Sequence, residues 1–368
     1  MSSLATRRRA RSAPQSDGVV LDVSGLTVEF VTQHGWNTVV DGVDLSVRAG
    51  RTHGLVGESG SGKSVTSLAI MGLIPSPPGR ITGGSIRFQG KELLGAGRQE
   101  LDDLRGDSMS MIFQEPMTSL NPAYTVGEQI AETVRRHRAV TRRQARERAV
   151  EMLGLVGIPR PASRVSDYPH SFSGGMRQRV MIAMALVNDP KLLIADEPTT
   201  ALDVTVQAQI LELLVKLRSE LDTAIIIITH DLGVVAQMAD DIAVMYSGRI
   251  VEHAPAQTIF STPEHPYTWG LLKSIPRLDV PRDEELVPIS GRPPSLINRP
   301  SGCHFHPRCP YVRESHRQVD PQLVGEGDHL VRCLLPSETR KRLWAELRAG
   351  ADPQQARERV PLPEEVTP

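Results

Sequence analysis

The sequence feature that most constrains the fold is a glycine-rich stretch ahead of a predicted helix. It consists of Gly57, Glu58, Ser59, Gly60, Ser61, Gly62, Lys63 and Ser64, which fits the phosphate-loop pattern G-x-x-x-x-G-K-[ST]. A buried strand is predicted over residues 52–56, and a helix is predicted from Val65 onward. In this context, backbone N–H groups and the helix dipole bind phosphate oxygens. The pattern predicts a nucleoside triphosphate site in which Lys63 meets the β- and γ-phosphates and Ser64 binds Mg²⁺.

Length and charge narrow the possible classes of protein. The chain has 368 residues and a net charge of −1, so its overall charge does not favour nucleic acid as a partner. It contains no apolar run of about 18 residues, so we expect no membrane span. Residues 1–18 carry four arginines but no apolar core. We therefore expect a disordered basic arm and not a secretory signal, with contact to anionic lipid headgroups as the alternative.

Short apolar runs separated by turns follow the arm. The runs at residues 19–23, 26–30 and 43–47 predict antiparallel strands. A nucleotide site needs a flat surface for the adenine ring, and three side chains in or near the first loop are candidates. They are Phe30, His34 and Trp36. Spacing alone does not choose between them.

A basic helical pattern extends from Val126 to about Leu155. Its middle is rich in arginine, which raises the possibility of nucleic-acid binding. However, no aromatic residues interleave for base stacking, and Glu132, Glu147 and Glu151 dilute the charge. A solvated helix face is therefore the favoured interpretation.

Two further apolar strands each end in polar side chains. Residues 192–195 precede Asp196 and Glu197, and the β-branched run at residues 223–229 precedes His230. Ligands of open α/β sheets collect at the carboxyl ends of strands. These side chains are therefore predicted to lie beside the phosphate loop.

Together, the motifs resemble those of the ATPase subunit of an ATP-binding-cassette transporter. The set comprises the glycine-rich loop, Gln114, the sequence Ser173-Gly174-Gly175, the pair Asp196 and Glu197, Asp203, and His230. The Ser-Gly-Gly signature is the most specific member, because ordinary P-loop ATPases lack it. This resemblance covers about residues 19–260.

A narrower resemblance extends over nearly the whole chain. Residues 114–122, 168–179 and 265–272 look like segments of the dipeptide, oligopeptide and nickel importer ATPases. Residues 302–310 are similar to the C-terminal extension of that group. The resemblance implies that the chain energises uptake of peptides, with nickel or another small solute as the alternative.

The resemblance also implies an α/β fold of several parts. A P-loop NTPase cassette is expected, with a RecA-like core, an antiparallel β subdomain, a helical subdomain and a small C-terminal extension that contains cysteines. The predicted divisions are the basic arm at 1–18, an ATPase domain at 19–260 with its helical subdomain at about 116–189, an accessory domain at 261–340, and a helical or flexible tail at 341–368.

Each motif has an implied role in ATP hydrolysis. Ser64 and Gln114 would bind Mg²⁺ directly, and Asp196 would act on the ion through a bound water molecule. Glu197 would be the general base, while His230 would contact the γ-phosphate and orient the attacking water.

The resemblance implies that partners complete the system. Ser173, Gly174 and Gly175 would close over the γ-phosphate bound by a second ATPase subunit, identical or related, with Asp203 at the interface. Two membrane permeases and, indirectly, a solute-binding protein would complete the transporter. The chain would therefore be peripheral, at the cytoplasmic face of the membrane.

The C-terminal extension contains a possible second cofactor site. Its candidate ligands are Cys303, Cys309, His316 and Cys333. In the resembling group, the extension suggests a [4Fe–4S] cluster, although His316 stands where that group often has a fourth cysteine. Structural Zn²⁺ or three buried free cysteines are the alternatives.

Two other kinds of cassette ATPase are less compatible with the sequence. An exporter subunit would not be expected to have the C-terminal extension or the stretch at residues 265–268. A soluble cassette ATPase that acts on nucleic acid or ribosomes usually has two cassettes or a long coiled coil. This sequence shows one cassette and neither of those features.

Overall fold

The computed structural model describes residues 18–33, 35–114, 119–200, 202–274, 289–295 and 299–363. The predicted basic arm therefore lies almost wholly outside the described residues, as does His34.

A mixed eight-stranded sheet forms the centre of this described part. In spatial order its strands are β11 (Val324–Glu326), β12 (His329–Val331), β10 (Arg249–Pro255), β9 (Asp241–Tyr246), β3 (Thr52–Val56), β8 (Ala224–Thr229), β7 (Leu192–Asp196) and β6 (Met109–Ile112). The strands from β9 to β6 pair in parallel. The carboxyl ends of β3, β7 and β8 consequently meet at one edge of the sheet, as the sequence predicts.

A second, antiparallel sheet contains β2 (Gly35–Arg48), β1 (Val19–Thr32), β4 (Gly79–Phe88) and β5 (Lys91–Glu92), in that order. The predicted strands at 19–23 and 26–30 are in fact one strand, β1. The pairing with β2 shifts register between Val23 and Leu26, where Gly25 has a φ of +59°. Such a bulge lets the strand continue through residues that resemble a turn in sequence.

The helices complete the layers around the two sheets. In chain order they are α1 (Lys63–Ile70), α2 (Arg98–Leu104), α3 (Val126–His137), α4 (Arg142–Leu155), α5 (Pro161–Arg164), α6 (Gly174–Leu186), α7 (Val204–Leu221), α8 (Leu232–Met238), α9 (Ala256–Ser261), α10 (Pro266–Lys273), α11 (Ser315–Gln318), α12 (Ser337–Arg348) and α13 (Pro353–Arg359).

The helical pattern predicted over residues 126–155 is two helices, α3 and α4. Thr141 lies directly before α4 and caps it. Its hydroxyl accepts a hydrogen bond from the Gln144 amide at 3.3 Å, and the Gln144 side chain accepts one from the Thr141 amide at 2.9 Å. This reciprocal capping box satisfies donors at the start of α4, and so it favours a new helix over a continuous one.

The central sheet separates two hydrophobic cores. Along β8, Ile225 and Ile227 face one core, whereas Ile226 and Ile228 face the other. The first core extends into helices α3, α4 and α6, and the second contains the inner face of the antiparallel sheet. Burial on both faces explains why β8 reads as a continuous apolar run.

The C-terminal extension packs directly on the central sheet. Strand β12 pairs with β10, with Glu252 opposite Val331. Three aromatic side chains join the central sheet to the extension. The centre of the Tyr246 ring lies 4.6 Å from that of Tyr267 and 5.2 Å from that of Phe305. Helix α12 runs across the predicted division between residues 340 and 341.

None of the helices in the described ranges combines the length and apolar character that crossing a bilayer requires.

Candidate functional site

The glycine-rich loop connects β3 to α1 and makes a close turn. Gly62 has a φ of +108°, and a Cβ atom at Gly57 would clash with the carbonyl oxygen of Met245. Both positions therefore require glycine. The Lys63 ammonium is buried beneath the loop and donates to the carbonyl oxygens of Gly57 at 2.7 Å and Glu58 at 3.0 Å. Burial lowers the pKa of Lys63, although the nearby carboxylates of Glu197, Asp196 and Glu58 oppose that shift.

Asp196, the last residue of β7, lies beside Ser64. Burial raises the pKa of Asp196, while a hydrogen bond from the Ser64 hydroxyl acts in the opposite direction. Its Oδ1 atom is buried and has no hydrogen-bond partner among the described residues. Ser64, Gln114 and Asp196 line the same cleft, whose volume is about 800 Å³. Hard oxygen donors around an unpartnered carboxylate oxygen fit a Mg²⁺ ion.

Three side chains converge on the carboxylate of Glu197. Gln114 Nε2 donates to Oε2 at 3.0 Å, and the Thr200 hydroxyl donates to the same oxygen at 2.8 Å. His230 Nδ1 lies 3.2 Å from Oε1. The structure therefore brings together the predicted base, the predicted water-orienting residue and a predicted Mg²⁺ ligand, which are far apart in sequence.

The same contacts set the charge of Glu197. Burial alone would raise its pKa, but hydrogen bonds from His230 and Thr200 and the nearby positive charge lower the pKa below its ordinary value. The carboxylate is therefore ionised at neutral pH, as a proton acceptor must be. Glu197 also has a φ of +46°, an uncommon conformation for a residue other than glycine. Strain of this kind often marks a functional residue.

The signature sequence begins helix α6, and its residues do not line this cleft. The Ser173 side chain accepts from the Met176 amide at 3.4 Å and so caps the helix. Ser173 and Gly174 are exposed, and neither they nor Gly175 belong to the described residues that line the cleft. Asp203 caps α7 in the same way, because it accepts from the Val206 amide at 2.9 Å. Within one chain, the signature therefore does not contribute to the cleft that contains Ser64.

The aromatic candidates for adenine stacking differ in environment. Phe30 is half-buried and packs against the core of the antiparallel sheet. Trp36 is exposed, and the guanidinium carbon of Arg80 lies 3.7 Å from the centre of its ring. Trp36 therefore offers an exposed ring and Phe30 a partly buried one, whereas His34 is outside the described residues.

The four predicted ligands of the extension lie in one region but do not form a metal site. The Cys303 amide donates to the His316 carbonyl oxygen at 2.9 Å, and Cys309 and Cys333 pack against the same apolar cluster. Burial raises the pKa of Cys303 to about 11, and burial also raises the pKa values of Cys309 and Cys333. In the described part of the chain, no group of three or more His, Cys, Asp or Glu side chains is placed to hold a metal ion. The arrangement gives no support to an iron–sulfur cluster or to zinc.

Sequence reasoning missed three contacts of this site. Thr200 binds Glu197 as described, and its place three residues along a tight turn is a local signal that could have identified it. Gln178 Nε2 donates to the Pro198 carbonyl oxygen at 2.6 Å and so ties the signature helix to the Glu197 turn. Arg308 of the extension binds Glu58 of the phosphate loop, and nothing in the local sequence signals that pairing.

Two family models match the sequence. One, described as ABC transporter, matches residues 40–200. The other, described as the C-terminal region of oligopeptide/dipeptide transporters, matches residues 251–315.

Curated relatives are similar over most of the chain. The oligopeptide transport ATP-binding protein OppD of Bacillus subtilis is 53% identical over 86% of this chain and 88% of its own length. OppD of Salmonella typhimurium is 51% identical over 89% of this chain and 97% of its own length. The dipeptide transport ATP-binding protein DppD of Bacillus subtilis is 50% identical, over 87% of this chain and 95% of its own length.

Solved cassette structures share the fold of the larger part of the chain. A dimeric ATP-binding cassette in a post-hydrolysis state, bound to ADP and Pi, matches with a TM-score of 0.58 and 26% identity, over 64% of this chain and 98% of that one. A Clostridium perfringens cassette, part of the ABC transporter complex cbiONQ, matches with a TM-score of 0.58 and 27% identity, over 67% of this chain and 92% of that one.

Proposed function

This chain belongs to the ATP-binding subunits of oligopeptide and dipeptide ABC transporters, and on that premise we propose that it hydrolyses ATP to drive peptide import through separate membrane subunits. The observation that carries the proposal is the convergence of Gln114, Thr200 and His230 on the carboxylate of Glu197. That arrangement sits at the carboxyl edge of the sheet, beside the phosphate loop. It provides a positioned proton acceptor next to a site for the triphosphate.

Different residues bind the phosphates and accept the proton during hydrolysis. Lys63 and the loop amides hold the β- and γ-phosphates. Glu197 accepts a proton from the attacking water, and His230 orients that water and the γ-phosphate. Phosphoryl transfer depends mainly on such positioning and on neutralising charge, because the protein performs little covalent chemistry itself.

Ser64, Gln114 and Asp196 would hold Mg²⁺, with Asp196 acting through a water molecule. When bound, the ion would neutralise charge on the phosphate oxygens. Because the Gln114 amide nitrogen is directed to Glu197, the amide oxygen is the atom that could bind the cation. The same side chain would then connect the ion site with the base.

The active unit in this proposal is a dimer. Ser173, Gly174 and Gly175 are exposed or partly exposed at the start of a helix and do not line the cleft of their own chain. A serine hydroxyl and free amides at a helix N-terminus can bind a phosphate that another subunit presents. The similar solved cassettes that form dimers support this arrangement. The partner would be a second cassette, identical or related.

We further propose that the dimer works at the cytoplasmic face of a membrane, where it binds two permease subunits. The loop after Gln114 and the helical subdomain would transmit motion to them, and a solute-binding protein would deliver the cargo. The names of the relatives favour peptides as cargo. Nickel or another small solute is the alternative, since this subunit would not touch the cargo in either case.

Purification from membranes tests this function. A tagged full-length chain should retain two permease subunits, and reconstituted vesicles should hydrolyse ATP faster when a peptide-loaded binding protein is added. An ATPase rate that no membrane protein or peptide changes would favour the soluble cassette ATPase instead. Stimulation by a nickel-loaded binding protein, and not by peptides, would identify the alternative cargo.

A further inference from the structure

A buried ion pair joins the C-terminal extension to the phosphate loop. Arg308 Nη1 donates to Glu58 Oε2 at 2.6 Å, and Nη2 donates to Oε1 at 3.0 Å. The side chain of Arg308 is only 3% exposed, whereas that of Glu58 is 27% exposed. Two parallel hydrogen bonds between guanidinium and carboxylate are strong and fix the orientation of both groups.

The guanidinium group of Arg308 is held in place by its own surroundings. Its Nε donates to the Ser290 carbonyl oxygen at 3.0 Å, and Nη2 also donates to that of Ile289 at 3.3 Å. The central carbon of the guanidinium group, Cζ, lies 5.8 Å from the centre of the Tyr246 ring. The group is therefore pre-organised toward Glu58 by contacts on three sides.

Glu58 links this pair to the lysine of the phosphate loop. Its amide donates to the hydroxyl of Tyr267 at 2.8 Å, and its carbonyl oxygen accepts from Lys63 Nζ at 3.0 Å. Tyr267 is completely buried in helix α10. Residues that follow β10 therefore fix both the side chain and the backbone of Glu58.

The charge of Glu58 poses a problem for an anion-binding loop. A carboxylate on such a loop repels a triphosphate unless a cation neutralises it. We propose that Arg308 is a positioning residue for ATP binding, because it neutralises Glu58 and holds the phosphate loop in its binding shape. This inference rests on the proposed binding of ATP at that loop. It makes the C-terminal extension a determinant of nucleotide affinity, although Arg308 itself need not touch the nucleotide.

A second buried ion pair in the extension provides a matched control. Arg340 Nε and Nη2 both donate to Glu264 Oε2, at 2.9 and 2.6 Å. The two side chains are 10% and 6% exposed. Loss of this pair should destabilise the extension as loss of Arg308 would, but the hydrogen bonds of Arg340 go to Glu264 and Cys333 and not to the phosphate loop.

The test is the dissociation constant for MgATP, measured by calorimetry on full-length variants together with thermal unfolding. We expect Arg308→Ala to weaken MgATP binding about fivefold, as one unscreened negative charge near the phosphates would. Arg308→Lys should be intermediate, because it restores the charge without the paired hydrogen bonds. Arg340→Ala should lower the unfolding temperature and leave the MgATP affinity unchanged.

The double variant separates neutralisation of Glu58 from general stability. Glu58→Gln removes the repelling charge, so adding it to Arg308→Ala should recover most of the lost affinity. Glu58→Gln alone should weaken MgATP binding less than Arg308→Ala does, because it removes the repelling charge together with the ion pair. If Arg308→Ala does not fold, Arg308→Lys with and without Glu58→Gln gives the same comparison.

Three results would overturn the inference. They are an unchanged MgATP affinity in Arg308→Ala, a loss in Glu58→Gln as large as that in Arg308→Ala, and a loss in Arg340→Ala equal to that in Arg308→Ala. Failure of the wild-type chain to bind MgATP would instead reject the proposed function, so the two failures are distinguishable.

Discussion

His230 Nδ1 lies 3.2 Å from Oε1 of Glu197, and the two residues directly follow β8 and β7, neighbouring parallel strands of the central sheet. The histidine is largely exposed, whereas the carboxylate is largely buried. The imidazole is therefore accessible to solvent, while hydrogen bonds from Gln114 and Thr200 hold the carboxylate in place. This geometry suits a base that must meet a water molecule from solution.

Replacing the base should separate ATP binding from hydrolysis. We expect Glu197→Gln to bind MgATP as wild type does, because the amide keeps the size of the side chain. Its kcat should fall about 100- to 10,000-fold, the range typical of general-base loss. Phosphate release and MgATP affinity measured on the same preparation check this. Glu220→Gln, on the exposed end of α7, is the control, and a normal rate in Glu197→Gln would reject Glu197 as the base.

The hydrogen bond from Thr200 should be visible in the pH dependence of hydrolysis. Hydrogen bonding from His230 and Thr200 lowers the pKa of Glu197, so its carboxylate stays ionised as the pH falls below the ordinary glutamate value. Thr200→Val removes one donor and raises the pKa, so the acid limb of the kcat/KM profile should move to higher pH. Ser219→Ala removes a hydroxyl near the C-terminal end of α7, far along the chain from Thr200, and is the control. An acid limb that does not move would show that Thr200 does not tune the base.

Mixing two inactive variants should restore activity if the site is shared between subunits. Lys63→Ala disables the phosphate loop of its own chain, and Ser173→Arg blocks the signature that serves the partner. A mixed dimer then contains one intact composite site. We expect each variant alone to hydrolyse little ATP and the mixture to recover activity, measured as phosphate release. A mixture as inactive as its components would argue that both motifs serve the same chain's nucleotide or that this chain pairs only with a related subunit.

The cysteines of the extension can be tested without reference to activity. A protein purified without oxygen that is brown and contains iron would carry a cluster on some of Cys303, Cys309, His316 and Cys333. One zinc per chain would indicate the structural alternative. Because Cys309 and Cys333 pack in an apolar cluster and Cys303 is buried, we expect a colourless protein free of both metals, as judged by absorption spectra and elemental analysis. Loss of any bound metal in Cys303→Ser would assign it to this region.

The local sequence identifies most residues of the candidate site, because its motifs are short and occur in a fixed order. Lys63, Asp196 and Glu197 belong to strand–loop patterns whose chemistry can be read from adjacent residues. The parallel pairing of β3, β8 and β7 then brings them together, which follows from the rule that strand ends meet at one edge.

Other features depend on contacts that local sequence does not encode. The continuity of β1 through Gly25 depends on a bulge against its partner strands. The pairing of Glu58 with Arg308 joins residues 250 positions apart. Such long-range contacts follow from the packing of the whole chain, so no local sequence pattern predicts them.

The pairing of β12 with β10 also affects whether the chain aggregates when it is not assembled with other subunits. Strand β10 carries the buried residues Ile250 and Val251, and β12 covers the hydrogen-bonding edge that it would otherwise expose. An uncovered edge beside apolar side chains recruits strands from other molecules. A chain cut after residue 260 would therefore tend to self-associate and precipitate. The extension thus also protects the ATPase domain from aggregation.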